Sequence, residues 1–139
     1  MKKPIKVMCF GTFDLLHLGH INYFQQAKKY GNYLIVVIAR DVTKLNQQKK
    51  LIFNENERLF LLQQLKIVDE AVLGDVKDHF KVILTKKPDI ICLGYDHSIE
   101  ENELQNKLNE LGLSCQIKRA KPFHPDKYKS NIFRLKLLK

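Results

Sequence analysis

The sequence predicts an α/β domain built on a doubly wound, mostly parallel five-stranded sheet with helices on both faces. Apolar segments of strand length alternate along the chain with segments of helical periodicity, a pattern typical of such sheets. Residues 33–39 are almost continuous in Leu, Ile and Val, as expected of a strand buried on both faces. The chain of 139 residues contains no linker and no internal repeat. We therefore expect residues 1–139 to form a single domain.

The boundaries of the elements follow from apolar segments and from residues that begin or end helices. Asn54 and Glu57 are spaced as a capping box before the second helix, and Gly112 follows the fourth helix as a C-cap. Residues 121–129 form a long loop that could cover a site as a lid. We predict strands at residues 5–10, 33–39, 68–73, 89–93 and 114–118, and helices at residues 17–30, 58–65, 76–87, 99–111 and 130–138.

Composition and charge limit the class of protein. The 24 Lys and Arg against 15 Asp and Glu give a net charge of +9, spread along the chain. A basic surface of this kind suits small phosphate-rich substrates as well as nucleic acid. The three cysteines stand singly in apolar stretches without C-x-x-C spacing, which predicts buried, reduced thiols and a cytoplasmic protein. The chain lacks an apolar run of about 20 residues that could span a bilayer, and its first residues do not resemble a signal peptide.

The pair His17 and His20 is the strongest chemical signal in the chain. The two imidazoles are three residues apart at the predicted start of the first helix, so they share one face and lie side by side. The backbone N–H groups and the dipole of a helix N-terminus favour an anion there. Gly19 places no Cβ between the rings, so a bulky ligand can approach the backbone. The pattern predicts a phosphate site, at the sheet edge where parallel strands bind ligands.

Other interpretations of the histidine pair are weaker but open at this stage. The residues could be surface histidines, or they could hold a structural metal ion. A zinc enzyme needs three protein ligands and an open position. The chain has no H-E-x-x-H or C-x-x-C motif, so the third ligand would have to be Asp14 or a distant histidine. Walker and G-x-G-x-x-G motifs are also absent.

Residues 11–14 and 17–20 together resemble the signature of the cytidylyltransferase-like nucleotidyltransferases, and the resemblance covers nearly the whole chain. These enzymes have a Rossmann-like fold, couple a phosphorylated acceptor to CTP or ATP, and release pyrophosphate. The chain is most similar to the archaeal-type FAD synthases, and the bacterial glycerol-3-phosphate cytidylyltransferases match its later segments less well. The segments similar to FAD synthases are residues 38–43, 68–74, 87–96 and 122–124.

The resemblance implies roles for individual residues. His17 and His20 would donate hydrogen bonds to phosphate oxygens during in-line attack on the α-phosphorus. Lys44, in a flexible loop after the second strand, would close over the β and γ phosphates, and Arg58 would contact the nucleotide phosphates. Asp14 would orient a lysine or a metal-bound water, unless it only caps the turn. Mg²⁺ would bridge the triphosphate. The implied nucleotide-binding residues are Gly11, Thr12, Phe13, Asp14, Gly19, Gly94, Asp96, Lys129, Ser130 and Asn131.

The last motif departs from the glycerol-3-phosphate cytidylyltransferases, which carry an arginine and then Ile-Ser-Thr-Thr before the final helix. In this chain Ser130 supplies one of the two hydroxyl groups, Asn131 has an amide in place of the other, and Lys127 or Lys129 takes the place of the arginine. The identity of the acceptor is therefore the open question in this resemblance.

We predict an FMN adenylyltransferase whose flavin slot is walled by Tyr95, Phe123 and Tyr128. The first alternative is a cytidylyltransferase acting on glycerol-3-phosphate or another small phospho-alcohol. The second is a non-catalytic nucleotide-binding or RNA-binding module. The resemblance also implies a homodimer, and we expect no nucleic-acid partner.

Overall fold

Five parallel strands form the centre of the structure, a computed structural model that describes residues 3–47, 50–129, 132 and 136. The sheet has the strand order β3-β2-β1-β4-β5, and every pair of neighbours runs parallel. The predicted doubly wound parallel sheet is therefore confirmed. The strands are β1 (Lys6–Gly11), β2 (Tyr33–Ile38), β3 (Glu70–Leu73), β4 (Ile90–Leu93) and β5 (Gln116–Arg119).

Helices cover both faces of the sheet because side chains alternate along each strand. In β1, Val7 and Cys9 join one core cluster with Phe24, whereas Met8 joins the other cluster with Leu108. The first cluster lies under α1 and α3, and the second lies under α4 and α5. The described helices are α1 (Leu18–Lys28), α2 (Asp41–Asn46), α3 (Glu55–Gln63), α4 (Lys81–Lys86) and α5 (Glu101–Glu110).

The predicted caps of two helices are confirmed, although α3 begins at Glu55 rather than at residue 58. Asn54 Oδ1 accepts the backbone N–H of Glu57 at 2.9 Å, and a Glu57 carboxylate oxygen accepts the N–H of Asn54 at 3.1 Å. This reciprocal capping box begins α3. Gly112 follows α5 with φ +75°, a left-handed conformation that glycine adopts without strain.

The segment after β2 is helical, and the prediction of a flexible loop there is wrong. Its first residue, Asp41, exchanges two hydrogen bonds with Glu55, since each carboxylate accepts the backbone N–H of the other residue at 2.9 Å. These bonds tie α2 to the start of α3. The stabilising partner lies 14 residues away, so local propensity does not reveal this short helix.

Most other boundaries differ from the prediction by one to three residues, and the largest difference is at the start of α4. α4 begins at Lys81 rather than at residue 76, because the Asp75 carboxylate accepts the N–H groups of Lys77 and Asp78 and forms a turn there. β5 extends to Arg119, one residue past its predicted end. Most of the predicted helix at residues 130–138 lies outside the described residues. The two described residues in this range, Ile132 and Lys136, are helical.

The cysteines agree with the prediction. Cys9, Cys92 and Cys115 are all free and buried. In the described part of the chain, no helix has both the length and the apolar character required to cross a membrane.

Candidate active site

A cleft of about 1040 Å³ lies beyond the carboxyl ends of β1 to β4, the edge where parallel sheets bind ligands. Its volume is at the upper end of the range of about 300–1,000 Å³ for small-molecule pockets, so it has room for two ligands. Arg58 does not line the cleft, and Ser130 and Asn131 lie outside the described residues. The predicted site residues that line it are Gly11, Thr12, Phe13, Asp14, His17, Gly19, His20, Lys44, Gly94, Asp96 and Lys129.

The imidazoles of His17 and His20 stack on each other at the N-terminus of α1. Their ring centroids are 3.8 Å apart and their planes are inclined by 26°. His17 is the N-cap, and its Nδ1 accepts the backbone N–H of Gly19 at 3.1 Å. Nδ1 of His20 accepts the backbone N–H of His17 at 3.2 Å. The two histidines thus form a capping box with each other, and the predicted side-by-side arrangement is confirmed.

These hydrogen bonds determine where each ring carries its proton. Because both Nδ1 atoms accept an N–H, each neutral ring is protonated on Nε2. Burial lowers the pKa of His17, and burial together with the charge of His17 lowers the pKa of His20 to about 3. Both rings are therefore neutral at pH 7. Each brings an Nε2–H donor to the cleft wall, and such donors suit phosphate oxygens that gain negative charge during a reaction.

Gly19 is required by the position of the His17 ring. A Cβ at residue 19 would lie 2.8 Å from His17 Cε1 and 3.2 Å from the Cβ of Tyr128. Tyr128 stacks beyond His17 with ring centroids 6.3 Å apart, and Phe123 stacks on Tyr128 at 5.7 Å with planes inclined by 7°. Both aromatic residues belong to the predicted lid and line the cleft. An aromatic stack therefore extends from the histidine pair.

The turn after β1 has an unusual backbone that brings Thr12 to the cleft. Phe13 has φ +56°, a conformation that costs a non-glycine residue about 1–3 kcal/mol. Its ring is 4% exposed and packs edge-on against His20. A Cβ at Gly11 would lie 2.5 Å from Phe13 Cζ, so the glycine makes room for the ring. Burial of the ring offsets the backbone strain.

Arg58 lies beneath the cleft, and in this structure its side chain does not face the space in which nucleotide phosphates were predicted to bind. Its side chain is fully buried. It donates to the carbonyl oxygen of Thr12 at 2.8 Å, to that of Phe53 at 3.2 Å, and to the Asp41 carboxylate at 2.7 Å. Asp41 is thus the anionic partner that an arginine at a helix start needs. Arg58 supports the turn after β1 from below.

Asp14 also points into the protein. It is 3% exposed, and its carboxylate accepts the backbone N–H groups of Ile52 and Phe53, each at 2.9 Å. These contacts show that Asp14 holds the backbone of residues 52 and 53, and its role in orienting a lysine or a water stays a prediction. Asp14 and Arg58, both buried, and Asp41, whose side chain is 34% exposed, together form what we call the buried frame.

Lys44 lies in α2 and lines the cleft. Its Nζ donates to Gln47 Oε1 at 3.2 Å. Burial lowers the pKa of His97, and the charges of Arg119 and Lys44 lower it further, although Asp96 acts in the opposite direction. The Lys44 cation is thus close enough to the wall after β4 to act on it electrostatically. A short helix, rather than a flexible loop, holds it there.

Two residues that shape the wall after β4, His97 and Arg119, were not predicted from the sequence. Nδ1 of His97 accepts the Gly94 N–H at 3.0 Å, and a Cβ at Gly94 would lie 3.1 Å from His97 Nε2. Arg119, the last residue of β5, donates to three carbonyl oxygens of the segment that follows β4 and pairs with Glu101. A basic residue at the carboxyl end of a strand, beside a predicted site, was the signal that could have revealed Arg119.

The cleft continues over the second face of the sheet, where its lining is apolar. Because α4 begins at Lys81, the helical turns predicted for residues 76–80 do not cover this part of the sheet. His79 also lines this region. We call the region the apolar chamber. Its walls include Val37, Phe80, Val82, Leu93 and Leu104.

Across the described residues, no group of three or more His, Cys, Asp or Glu side chains is arranged to hold a metal ion. The oxygen atoms of Asp14 already accept backbone N–H groups.

Comparisons with known proteins agree with this architecture. The family model described as cytidylyltransferase-like matches residues 8–136. A protein of Thermoplasma volcanium named FAD synthase is 47% identical over 134 residues, which cover 96% of this chain and 94% of that protein. A protein of Picrophilus torridus with the same name is 42% identical over 134 residues, which cover 96% of each chain.

Solved structures point to the same fold. A Thermoplasma volcanium protein described as a lipopolysaccharide core biosynthesis protein superposes with a TM-score of 0.85 at 50% identity, covering 87% of this chain and 99% of that chain. A pantoate-beta-alanine ligase of Francisella tularensis shares the fold alone, with a TM-score of 0.61 at 14% identity, covering 98% of this chain and 70% of that chain. The stacked histidines, the parallel sheet and these matches agree, and the chain belongs to the cytidylyltransferase-like family of nucleotidyltransferases.

Proposed function

We propose that this protein is an FMN adenylyltransferase, which transfers AMP from ATP to the phosphate of FMN and releases pyrophosphate. The observation that carries the proposal is the stacked, neutral pair His17 and His20 in a cleft with room for two ligands. The relatives named FAD synthase, at 42–47% identity, support the choice of substrates.

The reaction is an in-line displacement at phosphorus. A phosphate oxygen of FMN forms a bond to the α-phosphorus of ATP, while the bond from that phosphorus to the bridging oxygen of pyrophosphate breaks. Catalysis of this kind depends on positioning and on stabilisation of developing charge. The Nε2–H groups of His17 and His20 donate to the phosphate oxygens as negative charge grows. Since both rings are neutral at pH 7, they serve as hydrogen-bond donors rather than as acids.

Further phosphate contacts come from the other walls of the cleft. The backbone N–H groups of Thr12 and Phe13 and the cation of Lys44 bind the triphosphate, and Lys129 with Ser130 and Asn131 completes the site from the C-terminal side. Gly94 and Asp96 contact the nucleoside. Mg²⁺ is part of the proposal, as an ion that neutralises charge on the triphosphate. Its ligands are phosphate oxygens and water, as is usual for Mg²⁺.

FMN is favoured over glycerol-3-phosphate by the apolar surface in the cleft. An isoalloxazine ring needs apolar or aromatic walls, whereas a glycerol moiety needs hydroxyl partners. Two regions offer such walls, namely the stack of Phe123 on Tyr128 and the apolar chamber. Tyr95 adds an aromatic ring beneath the Nζ of Lys129, which lies 5.8 Å from the ring centroid.

The test is an assay of pyrophosphate release with each pair of nucleoside triphosphate and acceptor in the presence of Mg²⁺. We expect release with ATP and FMN, formation of FAD, and loss of both in a His20→Ala variant. Turnover with CTP and glycerol-3-phosphate alone would identify the cytidylyltransferase alternative. Nucleotide binding without turnover, or RNA binding that weakens steeply with salt, would identify the non-catalytic alternative.

The proposal includes a cytoplasmic homodimer that has no nucleic-acid partner. Light scattering on the purified protein measures the mass directly. A monomeric mass in the presence and absence of ATP would contradict the dimer and leave the proposed reaction unaffected.

A further inference from the structure

Residues 94–99, which we call the β4 loop, form one wall of the cleft without any regular secondary structure. Each of the six residues lines the cleft, and the segment lies between β4 and α5. Within the loop, the Gly94 N–H donates to His97 Nδ1 at 3.0 Å and the His97 N–H donates to the Gly94 carbonyl at 3.2 Å. These bonds close the first turn, but they do not attach the loop to the rest of the fold.

Arg119 makes that attachment. Its guanidinium donates to the carbonyl oxygens of Gly94 at 3.0 Å, of His97 at 2.9 Å and of Ile99 at 2.7 Å. It also pairs with the carboxylate of Glu101, just beyond the loop. A planar group with five N–H donors can hold carbonyls from both ends and the middle of one loop. The ammonium group of a lysine is a point charge on a flexible stem, and it lacks this fixed, fork-like arrangement of donors.

The sheet places Arg119 at the right point for this task. In the parallel register, Arg119 lies opposite Leu93, the last residue of β4, and the N–H of Ala120 donates to the Leu93 carbonyl at 2.8 Å. The side chain therefore starts where the loop starts. Arg119 itself does not line the cleft, so its effect on a ligand must pass through the loop.

We infer that Arg119 is a positioning residue for the nucleotide, which holds the β4 loop in the shape that binds the nucleoside part of the triphosphate. This inference rests on the proposed function. It assigns to Arg119 the binding of nucleotide and no part in the bond-making step.

The experiment measures binding of a non-hydrolysable ATP analogue by calorimetry, in the absence of FMN, together with kcat and KM of the full reaction. Arg119→Lys keeps a positive charge beside Glu101 but loses the fork. We expect its Kd for the analogue and its KM for ATP to rise about 10-fold, a loss of about 1.4 kcal/mol of binding energy. We expect kcat and the KM for FMN to stay within about 2-fold of wild type.

Two matched variants distinguish the loss of the guanidinium donors from a change in charge and from a general loss of stability. Lys118→Ala removes the neighbouring β5 cation, whose Nζ lies 5.6 Å from the ring centroid of Tyr30. Glu101→Gln removes the ion pair and leaves the three carbonyl contacts in place. We expect both variants to bind the analogue within about 2-fold of wild type. We also expect guanidinium ion at millimolar concentration, but not sodium, to restore part of the affinity of Arg119→Ala.

The outcomes distinguish failure of the inference from failure of the proposed function. Wild-type protein that binds the analogue, with Arg119→Lys binding equally well, would overturn the inference alone. Glu101→Gln as weak as Arg119→Lys would also overturn it, because the ion pair would then account for the effect. Wild-type protein that binds no nucleotide would overturn both. If Arg119→Lys does not fold, the test is the guanidinium rescue of Arg119→Ala: restored affinity supports the inference, and no restoration overturns it.

Discussion

The wall of the cleft and the layer just beneath it use polar residues in opposite ways. At the wall, His17 and His20 are partly exposed and neutral, and they form a capping box with each other. In the buried frame, Arg58 is fully buried and makes an ion pair with Asp41. From the sequence, Arg58 and the two histidines were predicted to have the same role, phosphate binding. Burial separates the residues that can contact a ligand from those that hold the contacting residues in place.

The two regions also differ in how they are built. The histidine pair depends on hydrogen bonds that span at most three residues. The buried frame joins distant parts of the chain, since Arg58 reaches a carbonyl 46 residues away at Thr12. The first kind of contact is visible in a motif, and the second is not.

Replacement of Arg58 should have the largest effect on folding. Arg58→Met removes the donors to the Thr12 and Phe53 carbonyls and the ion pair with Asp41, whose side chain is 34% exposed and keeps the Glu55 N–H. We expect a loss of about 2–4 kcal/mol in the free energy of unfolding, because two carbonyls lose their buried partner. Urea denaturation measures it. The control is Arg40→Met, because Arg40 also pairs with a carboxylate, that of Glu55, but its side chain is 31% exposed. That variant should lose about 1 kcal/mol or less. Equal losses in the two variants would show that burial does not set the frame apart.

Replacement of His17 should affect the reaction rather than the fold. Asparagine is a good N-cap residue, so His17→Asn should leave the free energy of unfolding within about 1 kcal/mol of wild type. The lost Nε2–H donor should reduce kcat about 100- to 1,000-fold. The matched control is Leu18→Ala, which changes an exposed side chain between the two histidines and should leave kcat unchanged. A wild-type kcat in the His17→Asn variant would show that the His17 ring takes no part in the reaction.

The sequence was sufficient for the parts of the fold and site that depend on local patterns. The parallel five-stranded sheet, the capping box at Asn54 and the stacked histidines all follow from spacing and periodicity. The helix after β2 and the place of Arg58 did not follow, because both depend on Asp41, whose partners are Glu55 and Arg58. The chamber beside α4 depends on a turn made by Asp75. In each place where the structure differs from the prediction, a side chain forms a hydrogen bond with the backbone or pairs with a charged group far away in the sequence.

The pH dependence of stability should report the burial of the wall histidines. The pKa of His20 is about 3 in the folded protein, against an ordinary value of 6.5. Between these values the unfolded chain binds a proton that the folded protein does not, so this stabilisation is complete above about pH 6.5 and falls as the pH decreases. His20 should contribute about 1.4 kcal/mol per pH unit to that loss. Urea titrations between pH 6.5 and 5 should therefore show a shallower slope for His20→Asn, and equal slopes would contradict the burial argument.

Replacement of Asp14 should have the smallest effect. Asp14→Asn keeps one carbonyl oxygen for the N–H groups of Ile52 and Phe53, so we expect a loss of about 1 kcal/mol in the free energy of unfolding. Because the carboxylate holds backbone rather than substrate, kcat should stay within about 3-fold of wild type. Parallel urea and kinetic measurements test this. A large loss of kcat with unchanged stability would show that Asp14 takes part in the reaction.

The strand order has a consequence for how the protein is made. β1 lies at the centre of the sheet, between β2 and β4, so the two histidines are synthesised well before the opposite wall of the cleft. Until β4 and β5 emerge, one edge of β1 has no partner, and the site consists of its phosphate side alone. Contacts between such distant segments form slowly and leave an open strand edge exposed meanwhile. Nucleotide in the cell can therefore contact both walls of the cleft only after β4 and β5 have been synthesised.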